Sequence, residues 1–215
     1  MIFMSKSQAD IVSAMIIIVI AVGLVSTAFY WGLPLIQKKQ DEALIERVSN
    51  SFSQQNSNSL PKRIEFVAGK GGTDTFFLDV DGVWALNETE ESISFFFSSL
   101  ASDKTASGEW ISLTEGVGCS FQETAPIGTL GVDKSSIVCV KVNKVSDHYE
   151  YTYKIWFREL DESDGKRGYK IDLMKETGGV TISTGRNVRI SNSGSTQGQQ
   201  GQKLLTIVKI NILLG

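Results

Sequence analysis

Ile11–Ile36 reads IVSAMIIIVIAVGLVSTAFYWGLPLI, twenty-six residues without a charge, fifteen of them Ile, Leu, Val, Met or Phe. Each strongly apolar residue near a bilayer centre favours insertion by about 0.3–0.6 kcal/mol, so the run as a whole favours hydrocarbon over water. Backbone groups in hydrocarbon must bond within their own segment, which makes the run helical. At about 1.5 Å per residue it spans about 39 Å, more than a hydrocarbon core of about 30 Å. A buried helix of a soluble domain is seldom this long and uniformly apolar.

The rest of the 215-residue chain is large enough for one domain with its own core. The net charge of −3 gives no electrostatic footprint for nucleic acid. One histidine restricts histidine-based catalysis and metal binding. The two cysteines, Cys119 and Cys139, suit a disulfide if they lie outside the cell and two buried thiols if they lie in the cytosol.

Ten residues precede the apolar run, with Lys6 the single basic side chain among them. Such a leader suits an anchor tail, a secretory signal or a processing site ahead of a retained helix. The secretory reading has a small-x-small triplet at Ser26-Thr27-Ala28, with maturation at Phe29. Against it, apolar character continues to Ile36, and Tyr30 and Trp31 suit a membrane interface. Behind the run, Leu44, Val48 and Phe52 recur every four residues beside Ile45, with Lys38, Lys39, Asp41, Glu42, Glu46 and Arg47 around them. The pattern predicts one helix over residues 8–56, membrane or assembly core over 8–36 and amphipathic over 37–56. Pro34 removes one of its hydrogen bonds, and Asn56–Pro61 ends it.

Lys6-Ser7-Gln8 followed at once by a long apolar helix resembles the leader of archaeal type IV pilin-like proteins, the class that includes archaellins. The continuation Gly32-Leu33-Pro34-Leu35-Ile36-Gln37-Lys38-Lys39 is similar as well, so the resemblance covers residues 4 to about 40. It implies a leader over 1–7, a prepilin peptidase that cuts between Ser7 and Gln8, and a helix held by lipid before assembly. It further implies self-association of that helix in a surface filament. Two positions depart from the family pattern: Ser7 stands where glycine is usual, and Val12 where many pilins carry glutamate. Lysine placement around the helix slightly favours a cytoplasmic head. The acidic head, the cysteine pair and an Asn87-Glu88-Thr89 glycosylation acceptor outweigh this and favour a head on the outside.

Residues 62–215 read as a β-rich antiparallel head, so the fold class is α+β. Ile64, Phe66 and Ala68 alternate as a strand, Gly71-Gly72 turns it, and Thr75–Val80 returns. Asn87 with Glu90 three residues on, then Ile93, Phe96, Phe97 and Leu100, predicts a short helix near 88–101. The alternative is a strand with Ile93, Phe95 and Phe97 on one face. In Ile137–Val145, Val138, Val140 and Val142 face one way and Cys139 the other. Tyr149–Phe157 alternates strictly and marks a half-buried strand, with its tyrosines core residues rather than a sugar platform. Val180–Ser183 and Asn187–Ile190 are short strands, Ser191–Gln202 an exposed mobile loop, and Lys203–Leu214 an interior strand.

Nothing in the sequence argues for an enzyme, and no catalytic residue, metal ligand or cofactor is assigned. Asp79–Gly82 and Asp161–Gly165 are acidic loops without EF-hand order, best explained as turns. Gly69–Gly72 lacks the order of a phosphate loop. The expected function is a filament subunit whose head is exposed for adhesion or surface interaction. The rival is a single-pass anchored ectodomain that binds but does not polymerise.

Overall fold

Helix α1 runs unbroken from Lys6 to Phe52 and continues through Pro34. The structure, a computed structural model, describes residues 6–101, 106–119 and 125–215, with side chains from Ile11 onward. Leader residues 1–5 therefore lie outside the described residues. Two compact units divide the chain: Met1–Asp41, which carries the apolar run, and Glu42–Gly215, which carries the last turns of α1 and the whole β-rich region.

In the second unit a short helix, α2 (Leu60–Lys70), precedes two six-stranded sheets. The first sheet takes β1 (Thr73–Phe77), β11 (Asn187–Gln200), β12 (Lys203–Leu214), β9 (Arg167–Lys175), β8 (Leu160–Asp161) and β5 (Gly128–Thr129), side by side in that order. The second takes β10 (Ile182–Ser183), β2 (Val83–Asn87), β3 (Ser92–Ser99), β7 (His148–Phe157), β6 (Ser136–Val145) and β4 (Trp110–Ser112). Every pair is antiparallel except β12 with β9 and β5 with β8. The head is thus an α+β domain behind a long apolar helix.

One core joins both sheets and both helices. Ile45, Val48 and Phe52 from the end of α1 and Leu60, Ile64, Val67 and Ala68 from α2 enter it with inward residues of each sheet. Phe52 lies 5.0 Å from the Tyr153 ring, 6.0 Å from Trp84 and 6.3 Å from Phe95, centroid to centroid. The amphipathic stripe that ends α1 is therefore an integral layer of the head. Tyr151 and Tyr153 are core residues, Tyr151 stacked at 4.9 Å on Phe97. Strand β12 is interior, between β11 and β9, with Val208, Ile210, Ile212 and Leu214 buried on one face.

A satellite cluster covers part of the opposite face of the second sheet. It holds Cys119, Ile137, Cys139 and Trp156, with Trp110 set edge-on to Trp156 at 5.7 Å. The structure joins Cys119 to Cys139 across a Cα–Cα distance of 6.2 Å. Closing a loop of this length stabilises by about 3 kcal/mol in the chain-entropy model. Val138, Val140 and Val142 face the main core from the same strand, as their alternation requires.

Four expectations are corrected. The segment 88–101 is not a helix: Ser92–Ser99 is β3, paired with β2 and β7. Glu91 has a φ of +50°, which a right-handed helix cannot pass, and Ile93, Phe95 and Phe97 bury together at a period of two. Asn87 does act as a cap, but of a turn: its Oδ1 accepts from the N–H groups of Thr89 and Glu90 at 3.0 and 3.1 Å. Second, Ile64–Ala68 is helical. Leu60, Ile64, Val67 and Ala68 form its buried stripe, Phe66 points outward, and Pro61 suits a first turn. Gly71, with φ of +78°, ends α2 by donating its N–H to the Val67 carbonyl, so it is a helix terminus rather than a hairpin turn. Third, α1 ends at Phe52, not near 56. Fourth, Ser191–Gln200 is strand: β12 needs a backbone partner on that side, and main-chain groups of Ser, Gly and Gln supply it.

Candidate functional site

The candidate site is the surface of α1 from Ile11 to Ile36. Its apolar window is entirely unburied and long enough to cross a membrane. Isoleucines 11, 16, 17, 18, 20 and 36, with the valines and leucines between them, stand exposed all round the helix. A helix apolar on every side is made for an apolar surrounding, either lipid or other helices. The Thr27 hydroxyl is satisfied within the helix, donating to the Gly23 carbonyl at 2.8 Å. Around Gly23 an added Cβ would meet nothing within 4 Å, so the helix backbone is open to a close neighbour there. Tyr30 and Trp31, 81% and 72% exposed, sit where the apolar run nears its end, as an interfacial belt requires.

At the other end of this run, the Ser7–Gln8 bond lies in the first turn of α1, immediately after Lys6. The described backbone thus makes the expected processing residues continuous with the apolar helix.

In the head, the acidic loops are tied to cations. Arg186 bridges Asp79 and Asp81, both at 2.7 Å. Lys203 pairs with Asp161 at 3.0 Å and with Glu159, and Arg167 with Glu162 at 2.9 Å. No group of three or more His, Cys, Asp or Glu able to hold a metal occurs among the described residues. His148 lies at 3.3 Å from Asp147 and 3.9 Å from Glu150, on the surface.

Asn87 is exposed in the β2–β3 turn, and the residues after it strap the two sheets together. Glu91 pairs with Lys170 on β9 at 2.7 Å and Glu88 accepts from the Lys175 N–H at 2.6 Å, both reaching the first sheet, while Glu90 pairs with Lys154 on β7 within the second. A sequence reading that makes this stretch a helix misses the strap, because its partners are 64 to 87 residues away.

Glu65 was also not legible in advance. Its Oε1 accepts from Ser135 and Ser136 hydroxyls at 2.7 and 2.8 Å, and its Oε2 from Lys62 at 2.7 Å, which fastens α2 to β6. Burial pushes this carboxyl up, but hydrogen bonds from Lys62, Ser135 and Ser136 together outweigh burial and hold it below the usual carboxylate range. Burial, and then the Glu65 charge, push the Tyr169 phenol up. The folded value of Glu65 lies below the unfolded one, so its contribution is complete above the unfolded value. It is lost as pH falls through the lower folded value. Burial raises Glu91, whose contribution runs the other way and weakens as pH rises through its folded value. Glu65→Gln is therefore expected to cost about 1–3 kcal/mol at neutral pH, with the gap to wild type closing on acidification. Thermal melts of both proteins between neutral and acidic pH check this; a gap that stays constant refutes it.

Compared with known proteins, the chain matches no family model, no curated sequence and no solved structure.

Proposed function

We propose that this chain is a structural subunit of a type IV pilus-like surface filament, held in the membrane by α1 before assembly and packed through the same helix afterwards. The observation that supports it most is the continuity of one helix, α1, from a wholly exposed apolar run into a stripe buried in the head. An anchored ectodomain needs only a span and a linker. A subunit that transmits load from a helical core to its outer surface needs the two to be one element, with Phe52 fixed among the head's aromatic rings. Ala14, Ala21, Gly23, Ser26 and Ala28 permit close approach of neighbouring helices. The head would then form the outer surface, where adhesion or recognition takes place.

N-terminal sequencing of the native protein tests the reading together with shearing. The expected mature N-terminus is Gln8, with the protein in sheared surface material. The double substitution Lys6→Asp, Ser7→Asp is expected to leave the precursor at full mass and to empty the sheared fraction. An N-terminus at Met1 or Phe29, or a variant that matures normally, overturns it. Membrane-retained protein with no sheared material instead identifies the single-pass anchored ectodomain.

A further inference from the structure

Strand β11 is paired on both sides only in its first half. Its residues Asn187–Ser191 lie between β1 and β12, and the Asn192 N–H still reaches the Gly72 carbonyl at 2.9 Å. The register then shifts between Asn192 and Ser195, with Gly194 at φ +104°, and Ser195–Gln200 continues against β12 alone. Among the described residues no strand pairs with its other edge. Over these six residues the main-chain donors and acceptors of alternate positions thus line an exposed sheet margin.

The other margins among the described residues are short or guarded. Strand β9 runs past β8 from Lys170 to Lys175, but Lys170 is paired with Glu91 and the Lys175 N–H with Glu88. Strands β5 and β10 have two residues each and β4 three. Strand β1 has five, but Arg63 lies over it, paired with Asp74 and donating to the Thr75 carbonyl at 3.3 Å. Natural sheets protect long edges with charge or proline. The segment Ser191–Gln202, SNSGSTQGQQGQ, has neither, in a chain of which 21% is charged.

We propose that Ser195–Gln200 pairs antiparallel with the same segment of a second copy of this chain, joining two heads that face each other. Two identical edges related by a two-fold axis close on themselves and stop at a pair. In such a contact a charge near the axis would lie close to its own image, and this segment carries none. Ser195, Gln197 and Gln199 share one face of the strand, so amide side chains from two copies fall into one hydrogen-bonding ladder. A partner of different sequence would gain nothing from that identity. The pairing requires only opposed heads, whether presented by two filaments or by two membranes, so it stands apart from the filament reading.

Vesicle tethering measures it. The full chain, reconstituted into vesicles of neutral lipid, is expected to cluster them, seen as a rise in light scattering that is indifferent to added salt. Association through α1 acts within one bilayer and cannot tether two. Q197K/Q199K vesicles and Q197E/Q199E vesicles are each expected to stay dispersed, since like charges then meet across the two-fold. Mixed together, the two populations are expected to cluster and to come apart in high salt. That rescue also shows that both variants are folded. Dispersed wild-type vesicles, variants that cluster alone as wild type does, or a mixture that stays dispersed would each overturn the proposal, whatever the fate of the N-terminus.

Discussion

Phe52→Ala is expected to destabilise the head by about 3–5 kcal/mol, the range for removing a large aromatic side chain from a packed interior. Phe52 is 0% exposed and touches rings from β2, β3 and β7, so its loss leaves a void bounded by three strands that cannot all close on it. A domain is stable by only about 5–15 kcal/mol in total, so the variant should unfold at much lower denaturant concentration. Near-ultraviolet circular dichroism of the full chain in detergent follows it, because Trp84 and Tyr153 lose their fixed surroundings. Phe66→Ala is the internal comparison. Phe66 is 62% exposed on the outer side of α2, and its removal is expected to stay within about 0.5 kcal/mol of wild type. Equal losses from the two substitutions would mean that the end of α1 is not part of the head core.

The contrast between these two phenylalanines also explains what the sequence did and did not disclose. The stripe at Leu44, Ile45, Val48 and Phe52 is local, spaced at the helical period, and lies within one element, so its burial could be anticipated. The same holds for Tyr149–Phe157 and Lys203–Leu214, whose alternation persists long enough to exclude a helix. Short apolar runs carry less information. Ile64-Glu-Phe-Val-Ala68 fits both periods, and only the burial of Leu60 and Val67 decides for α2. Ile93–Leu100 has a phenylalanine at every position from 95 to 97, so any period finds one. There the deciding fact is pairing with β7, whose partner residues lie from Tyr149 to Trp156, and no local pattern carries it. Likewise Ser191–Gln200 has a loop's composition and a strand's backbone, because its partner β12 supplies the apolar surface. The apolar span was legible whole; Glu65, the glutamate strap and the open edge of β11 all depend on distant strands.

Leu24→Arg separates lipid from protein as the surrounding of α1. Leu24 lies near the middle of the apolar run and is 67% exposed. Replacing leucine with arginine at a bilayer centre costs about 3–4 kcal/mol. The remaining apolar residues favour insertion by several kcal/mol together, and arginine can extend its head group toward the interface. The single variant is therefore expected to remain in the membrane fraction. A filament core offers no such escape: the guanidinium would be held among apolar neighbours at a fixed depth, without a partner, where an uncompensated buried charge costs about 3–5 kcal/mol per subunit. In the proposed filament every subunit would carry that cost, so assembly is expected to be lost while membrane retention persists. Ile20→Arg added to Leu24→Arg removes a further 3–4 kcal/mol of insertion free energy and is expected to deplete the membrane fraction as well. Leu24→Met keeps volume and polarity and should leave both unchanged. Shear fractions and carbonate-washed membranes, blotted side by side, read the three variants. A Leu24→Arg protein found in sheared filaments at the wild-type level would show that Leu24 is not enclosed by apolar neighbours there, and would overturn the packing of α1 as the filament core.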